Sequence, residues 1–120
     1  MFVDQLSGRE LDAAVAQHAF GLHIEPRTNA RTGETDYVHP LRAGAPPDEW
    51  VRIPFYSVSL AAAIPLEVEL QHRGWRRVDS STKDTGDIRV ILQHTDGRRV
   101  DAFGRAPVAL CRAALKAIKP

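Results

Sequence analysis

The sequence predicts a layered α+β fold in which three helices pack on a small, mainly antiparallel sheet. Apolar residues recur at helical spacing in three segments, about 8–20, 58–73 and 107–118. Alternating apolar residues over 87–103, interrupted by Asp96-Gly97, are typical of a β-hairpin. The chain has 120 residues, of which 43% are hydrophobic and 26% charged, as in ordinary globular domains. We therefore expect a single domain over 1–120.

The first helix is predicted to start after Ser7. The segment Ser7-Gly8-Arg9-Glu10 has the S-x-x-E form of a capping box, in which Ser7 and Glu10 each accept a hydrogen bond from the other's backbone N–H. Gly21 is a typical helix stop. The helix is therefore expected over about 8–20.

Residues 24–54 are expected to be irregular or mobile. They include prolines and glycines that interrupt regular structure, namely Pro26, Pro40, Pro46, Pro47, Gly33 and Gly44. Only short strands are indicated, at 35–38 and 50–53. Long irregular segments in small domains are often functional.

The second helix is expected to be capped by Ser57 and to span 58–73. Pro65 lies inside it and removes one backbone hydrogen bond, so we expect a kink there. A short strand follows at 75–78, with Gly74 before it.

The hairpin at 87–103 is expected to turn at Asp96-Gly97 with positive φ at both residues. The last helix is expected over 107–118, with Pro107 at its first position.

Composition and charge exclude several classes of protein. The net charge of +1 argues against direct nucleic-acid binding, and one cysteine, Cys111, excludes an internal disulfide. No apolar run approaches the roughly 20 residues of a membrane span, and no secretory signal is visible at the start. We expect no membrane association and a location in a reducing cytoplasm.

Three segments carry a resemblance to a known family: 6–16 (LSGRELDAAVA), 56–63 (YSVSLAAA) and 106–117 (APVALCRAALKA). They are similar to the G-R-E-x-D-x-x-V-A start, the Y-S-T-D-I-x-A-A stretch and the A-x-A-I-C-R-A-A-L-K-A ending of the phage αβα-sandwich domain family of small phage and prophage proteins. The resemblance implies a helix–sheet–helix sandwich and a phage or prophage origin, but no known activity. The chain departs from the family at Ser59, where the family has Asp, and at Pro65.

A first candidate site is an aromatic ledge at the end of the irregular segment. Trp50, Phe55 and Tyr56, with Pro46 and Pro47, would form an apolar, partly exposed surface that binds a partner. The alternative is that these rings only cover the core. Tyr and Trp are suited to either role.

Arg76 and Arg77 are a second candidate partner-binding group, suited to an acidic surface. They point to opposite faces if they lie in a strand. A plain solvated surface is the alternative.

A candidate anion site combines Ser57 and Ser59 at a helix N-terminus with Arg105. It would bind a phosphorylated small ligand. Simple helix capping by the serines is the alternative.

No catalytic or metal-binding pattern is visible. The five histidines lack zinc spacing, no G-x-S-x-G elbow occurs, and Cys111 lies on the apolar stripe of the last helix, where an inert buried thiol is expected. We therefore expect that the protein binds no cofactor and no metal and that it is not an enzyme.

The predicted function is that of a phage-encoded accessory protein that binds a host protein, a candidate inhibitor of an anti-phage defence system such as CRISPR. An alternative is a binder that sequesters a phosphorylated nucleotide signal. A third reading is a small hydrolase-type enzyme, which would need a histidine to meet Asp36 or Asp101 in a pocket. A homodimer is also expected if an apolar face is left open.

Overall fold

Three helices and six strands make up the part of the chain that the computed structural model describes, residues 3–82 and 87–118, with the side chains of 79–82 left out. The helices are α1 (Gly8–Phe20), α2 (Leu60–His72) and α3 (Ala106–Ile118). The strands are β1 (Glu25–Thr28), β2 (Thr35–Pro40), β3 (Trp50–Arg52), β4 (Trp75–Thr82), β5 (Ile88–His94) and β6 (Arg99–Gly104). Short 3-10 helices lie at Val3–Gln5 and Pro47–Glu49. The predicted α+β class and the three helices are confirmed.

The strands form two antiparallel sheets, with orders β1-β2-β3 and β4-β5-β6. The prediction of one small sheet is therefore wrong. The segment 24–54, in which the sequence indicates only short strands at 35–38 and 50–53, contains all three strands of the first sheet. A tight turn closes its first hairpin. Asn29 accepts hydrogen bonds from the N–H groups of Arg31 and Thr32, and Gly33 supplies the positive φ of +73°.

The hairpin of β5 and β6 lies where the sequence predicts it, but its turn differs. The N–H of Gly97 donates to the His94 carbonyl, and the N–H of His94 donates to the Arg98 carbonyl. Only Gly97 has a positive φ, whereas Asp96 does not. The turn is thus a three-residue loop with glycine in the left-handed position, rather than a two-residue turn.

The start of α1 differs in detail from the prediction. Ser7 occupies the N-cap position but makes no side-chain capping bond. Gly8 has φ +55°, so the entry into the helix is not the regular turn that a capping box needs. The end is as predicted, with Gly21 in the left-handed conformation.

The second helix begins at Leu60, two residues later than predicted. Ser59, and not Ser57, is its N-cap, and the Ser59 hydroxyl accepts a hydrogen bond from the N–H of Ala62. A turn precedes the helix because the N–H groups of Val58 and Ser59 both donate to the Phe55 carbonyl. The third helix begins at Ala106, one residue before the predicted start.

The core is built around α3, which contacts α1, α2, β5 and β6. Val90, Leu92 and Ala102 point from the second sheet toward the helices and are buried. Helix α1 also reaches β2 of the first sheet, so it connects that sheet to the core. Among the described residues, no helix is both long and apolar enough to cross a membrane.

Truncation of Leu115 tests this central role of α3. Leu115 is fully buried, so Leu115→Ala should lower the free energy of unfolding by about 2–5 kcal/mol through lost burial and a residual cavity. The matched control is Leu41→Ala, since Leu41 is 65% exposed and its truncation should change stability by less than about 0.5 kcal/mol. Denaturant unfolding measures both, and equal effects would contradict the central position of α3 in the core.

Candidate functional site

An open cleft of about 790 Å³ lies between the first sheet, the start of α1 and the segment 53–55. Half of its lining residues are charged and one is aromatic; the charged residues are Arg9, Arg27, Glu34, Asp36 and Arg52, and the ring is that of Phe55. Three arginines therefore face two acidic residues. The cleft combines positive charge with an exposed ring.

Strand register places the arginines and Asp36 of the sheet on one face. Arg27 on β1 is directly opposite Asp36 on β2, and Val38, two residues further along β2, is opposite Arg52 on β3. Side chains two residues apart on a strand point to the same side. Arg27, Asp36 and Arg52 consequently lie next to one another.

Arg9 joins the cleft to the helical part of the protein. Its Nε donates to Asp36 Oδ1 at 2.8 Å, and its Nη1 donates to Asp12 Oδ2 at 2.9 Å. The guanidinium also donates to the carbonyl oxygens of Pro54 at 3.1 Å and Ile53 at 2.8 Å. Four acceptors hold this side chain, so it forms a rigid wall of the cleft.

Asp12 is a buried carboxylate on the inner face of α1. Its Oδ1 accepts a hydrogen bond from the backbone N–H of Ser57 at 2.7 Å, and the Ser57 hydroxyl donates to the Gly8 carbonyl at 3.3 Å. Together with the bond to Arg9, these contacts attach 53–57 to α1. The backbone N–H and the hydroxyl of Ser57 thus both serve this attachment. The prediction that Ser57 caps α2 is wrong.

Asp36 is held between two arginines. Arg52 Nε donates to Asp36 Oδ2 at 2.6 Å, opposite the bond from Arg9, and the Tyr37 N–H donates to Oδ1 at 2.7 Å. Burial by itself would raise the pKa of Asp36, but the hydrogen bonds from Arg9, Tyr37 and Arg52 outweigh it and hold the pKa below its usual 3.8. Asp36 is therefore a carboxylate at neutral pH.

Arginines also pack against two aromatic rings, that of Phe55 in the cleft and that of Trp50 beside it. The guanidinium carbon of Arg9 lies 3.9 Å from the Phe55 ring centre, and that of Arg52 lies 5.2 Å from it. Arg27 lies 5.6 Å from the Trp50 ring centre, on the same face of the sheet. The Trp50 Nε1 donates to the Ala45 carbonyl at 3.0 Å, so this ring is fixed in place.

Of the predicted aromatic ledge, Phe55 lines the cleft, Trp50 lies beside it against Arg27, and Tyr56 does neither. Tyr56 is buried and stacks on Phe20 with 5.5 Å between ring centres. Burial, followed by the charge of Asp12, raises the pKa of Tyr56 to about 12. The prediction of a continuous ledge through Tyr56 is wrong, because its ring completes the core under α1.

The predicted basic group lies elsewhere in the fold. Arg76 is exposed on β4 of the second sheet, and Arg77 forms an ion pair with Glu67 of α2 at 3.5 Å. Neither residue lines the cleft.

The predicted anion site is not assembled as expected. The Ser57 N–H already binds the Asp12 carboxylate, which would repel an anion, and Ser59 caps α2. Arg105 is exposed just before α3.

Cys111 is buried as predicted. Burial, with a smaller effect of the Asp12 charge, raises the pKa of Cys111 to about 12, so the group is a neutral thiol. Within residues 3–82 and 87–118, no three His, Cys, Asp or Glu side chains come together in a way that could hold a metal ion.

Sequence reasoning missed Arg9, Arg27, Arg52 and Asp12 as site residues. One signal was available, because Asp12 falls among the apolar positions of α1, between Leu11 and Val15. A carboxylate on a core-facing stripe requires a buried partner. Nothing in the sequence, however, identifies that partner as Arg9 together with the N–H of Ser57.

A comparison with models of known protein families finds no match for this chain, and a search of curated proteins finds no match either. The resemblance to the phage family therefore stays a prediction from three sequence segments.

Replacement of Asp12 tests its role in attaching 53–57 to α1. Asp12→Ala should lower the free energy of unfolding by about 3–5 kcal/mol, because it leaves the Ser57 N–H and one edge of Arg9 without an acceptor. Asp12→Asn should cost less, since its amide oxygen can still accept from Ser57. Chemical denaturation compares both with Asp48→Ala, a change at an exposed acid. An Asp12→Ala protein as stable as this control would contradict the assignment.

The pH dependence of stability tests the ion pairs of Asp36. Because the folded pKa is lowered, the paired carboxylate stabilises the fold above about pH 4, and this contribution is lost as the pH falls through the folded value. Asp36→Asn should therefore lower the melting temperature at pH 7, and its difference from wild type should shrink below about pH 4. Thermal unfolding across pH measures this, with Asp48→Asn as the control. A pH-independent difference would overturn the assignment.

Proposed function

We propose that this is a binding protein whose cleft between the first sheet and α1 holds an acidic segment of a partner protein. The observation that carries the proposal is the packing of Arg9, Arg27 and Arg52 against the rings of Phe55 and Trp50 at one open surface. Arg and Trp are enriched among residues that dominate protein interfaces. The proposed function is still the predicted one, binding of a partner protein. The proposed binding surface, however, is the cleft, and it includes neither Tyr56 nor Arg76 and Arg77.

The charges of the cleft favour an acidic partner. A guanidinium has five N–H donors, and the contacts of Arg52 with Asp36 and of Arg27 with the Pro47 carbonyl leave several for a ligand. The side chain of Arg52 is 66% exposed. Arginine is suited to bidentate binding of a carboxylate.

The cleft is also rigid before a partner arrives. Arg9 is held by four acceptors and supports the Phe55 ring, which is 39% exposed. A partner would therefore not have to order Arg9 and Phe55, and less of its binding energy would be lost to conformational entropy there.

Binding is favoured over catalysis by the state of Asp36. Both of its oxygens accept hydrogen bonds from arginines, and its pKa lies below the usual range. A general base at neutral pH has a pKa near the working pH and a face open to substrate. The arrangement is typical of a structural ion pair.

We further propose that the partner is a bacterial host protein, a component of an anti-phage defence system such as CRISPR being one candidate. This part rests on the resemblance of three sequence segments to small phage proteins.

Capture from a bacterial lysate with matched variants tests the binding proposal. Tagged wild type, Trp50→Ala, Phe55→Ala, Arg52→Ala and the control Leu41→Ala would be compared by quantitative mass spectrometry, after circular dichroism has shown that each is folded. A true partner should be retained by wild type and by Leu41→Ala and reduced about 10-fold or more in the three cleft variants. Equal capture by all variants would exclude the cleft as the binding site.

A synthetic peptide from the captured protein would then test the charge. Its affinity should fall as the salt concentration rises, and Arg52→Lys should bind more weakly than wild type, because it keeps the charge but loses the planar fork. An affinity that is independent of salt would contradict an acidic ligand.

A further inference from the structure

Each of the two antiparallel sheets has two edge strands, whose outward N–H and C=O groups can pair with another chain. In the described part of the chain, the edges are β1 and β3 of the first sheet and β4 and β6 of the second. Proteins block such edges with prolines, bulges and charged side chains. Three of these four edges are blocked in one of these ways, and the remaining edge, that of β3, borders the cleft.

Both edges of the second sheet are blocked. The hydrogen-bond pattern between β5 and β6 directs the carbonyl groups of Asp101 and Phe103 away from β5. Lys116 Nζ donates to the Asp101 carbonyl at 2.9 Å, and Arg112 Nη1 donates to the Phe103 carbonyl at 3.1 Å. The edge of β6 is therefore occupied by side chains of α3. Strand β4, at the other edge, is interrupted by a bulge just after Arg77.

The outer edge of β1 is blocked by Pro26. The N–H of Asn29 donates to the Glu34 carbonyl, and hydrogen-bonded pairs recur at every second residue of an antiparallel ladder. The backbone of Arg27 therefore pairs with β2, whereas Pro26 and Thr28 face outward. Because proline has no N–H, an added strand could not continue its hydrogen bonds along β1.

The edge of β3 is open. The N–H of Ile53 donates to the Tyr37 carbonyl at 3.1 Å, which sets the alternation of the ladder between β2 and β3. The backbone of Val51 therefore pairs with β2, and the N–H and C=O groups of Arg52 point away from β2. No loop or side chain of the described part of the chain binds these two groups. They are available to a partner strand.

The side chains at this edge favour an acidic strand with alternating residues. The Arg52 side chain binds Asp36 through Nε, which leaves its terminal donors for a ligand. In an added antiparallel strand, the residue directly opposite Arg52 would be on the same face, with its Cα about 5.5 Å away. Val51 points to the other face and is 38% exposed, so a neighbour of that residue would contact it. An acidic residue next to a β-branched apolar residue therefore fits this edge.

We propose that the partner of the cleft binds in an extended conformation, as a fourth strand antiparallel to β3, with an acidic side chain opposite Arg52. This inference rests on the binding function proposed above and adds the conformation and sequence pattern of the bound segment. In strand addition, main-chain hydrogen bonds give affinity and side chains at alternate positions give specificity. Because β3 has only three residues, the backbone contact is short and the ion pair with Arg52 is needed for affinity.

An NMR titration of the isotope-labelled protein with the peptide acetyl-Thr-Thr-Val-Glu-Val-Thr-Thr-amide tests the pairing. The amide signal of Arg52 should shift, and its hydrogen exchange should slow about 5-fold or more, because its N–H becomes hydrogen-bonded. The amide of Thr28 is the matched control, since it faces outward at the blocked edge of β1 and should not change.

Peptides methylated on the backbone separate strand pairing from charge attraction. N-methylation of the Glu residue removes the N–H that donates to the Arg52 carbonyl and should weaken binding about 5-fold or more. N-methylation of the Val before it removes an N–H that points away from β3 and should leave the affinity nearly unchanged. Replacement of the Glu by Gln should also weaken binding, because the ion pair is lost.

An Arg52 amide that stays unchanged at about 1 mM peptide, or equal affinities of the two methylated peptides, would overturn the strand pairing. If the cleft variants nevertheless lose the captured partner, the cleft remains the binding site and only its mode of binding is contradicted. If the Arg52 amide is protected but all variants capture equally, pairing at β3 is supported and the cleft is excluded as the site of the captured partner.

Discussion

The ion pair between Arg9 and Asp12 is the interaction on which the arrangement of this protein depends. Asp12 is buried, and a buried carboxylate must have its oxygens paired. Arg9 satisfies one oxygen and the N–H of Ser57 satisfies the other, which fastens the segment before α2 to α1. Through its Nε, Arg9 also binds Asp36 and so connects the first sheet to the helices. One charged pair therefore positions two distant parts of the chain.

The same constraint shapes the proposed binding cleft. Arg9 is fixed by its acceptors and serves as a rigid surface against which Phe55 packs, while Arg27 and Arg52 stand on the edge strands of the sheet. A structural ion pair lies at the base of the cleft, and more exposed arginines surround it. Arg9 thus mainly holds the fold together, whereas Arg52 both pairs with Asp36 and has donors left for a partner.

Helix α2 has more apolar surface than the core can cover. Leu66 and Leu70 pack inward, whereas Ile64 and its neighbours remain outside. The protein consequently has two unlike surfaces, a charged cleft on the first sheet and an aliphatic face on α2. They lie on different elements of the fold.

The sequence by itself determined the three helices, the hairpin of β5 and β6 and the burial of Cys111, because local hydrophobic periodicity and glycine positions specify them. The sequence also indicated short strands at 35–38 and 50–53, but only the tertiary structure decided their pairing with β1 into a sheet, and the cleft beside it. Strand β1 is exposed throughout and shows no alternation, so its pairing is not visible in its own residues. Likewise, the partners of Asp12 and Arg9 lie up to 45 residues away. Charged groups pair with the groups that the fold brings close to them, and the local sequence does not specify which distant residue that will be.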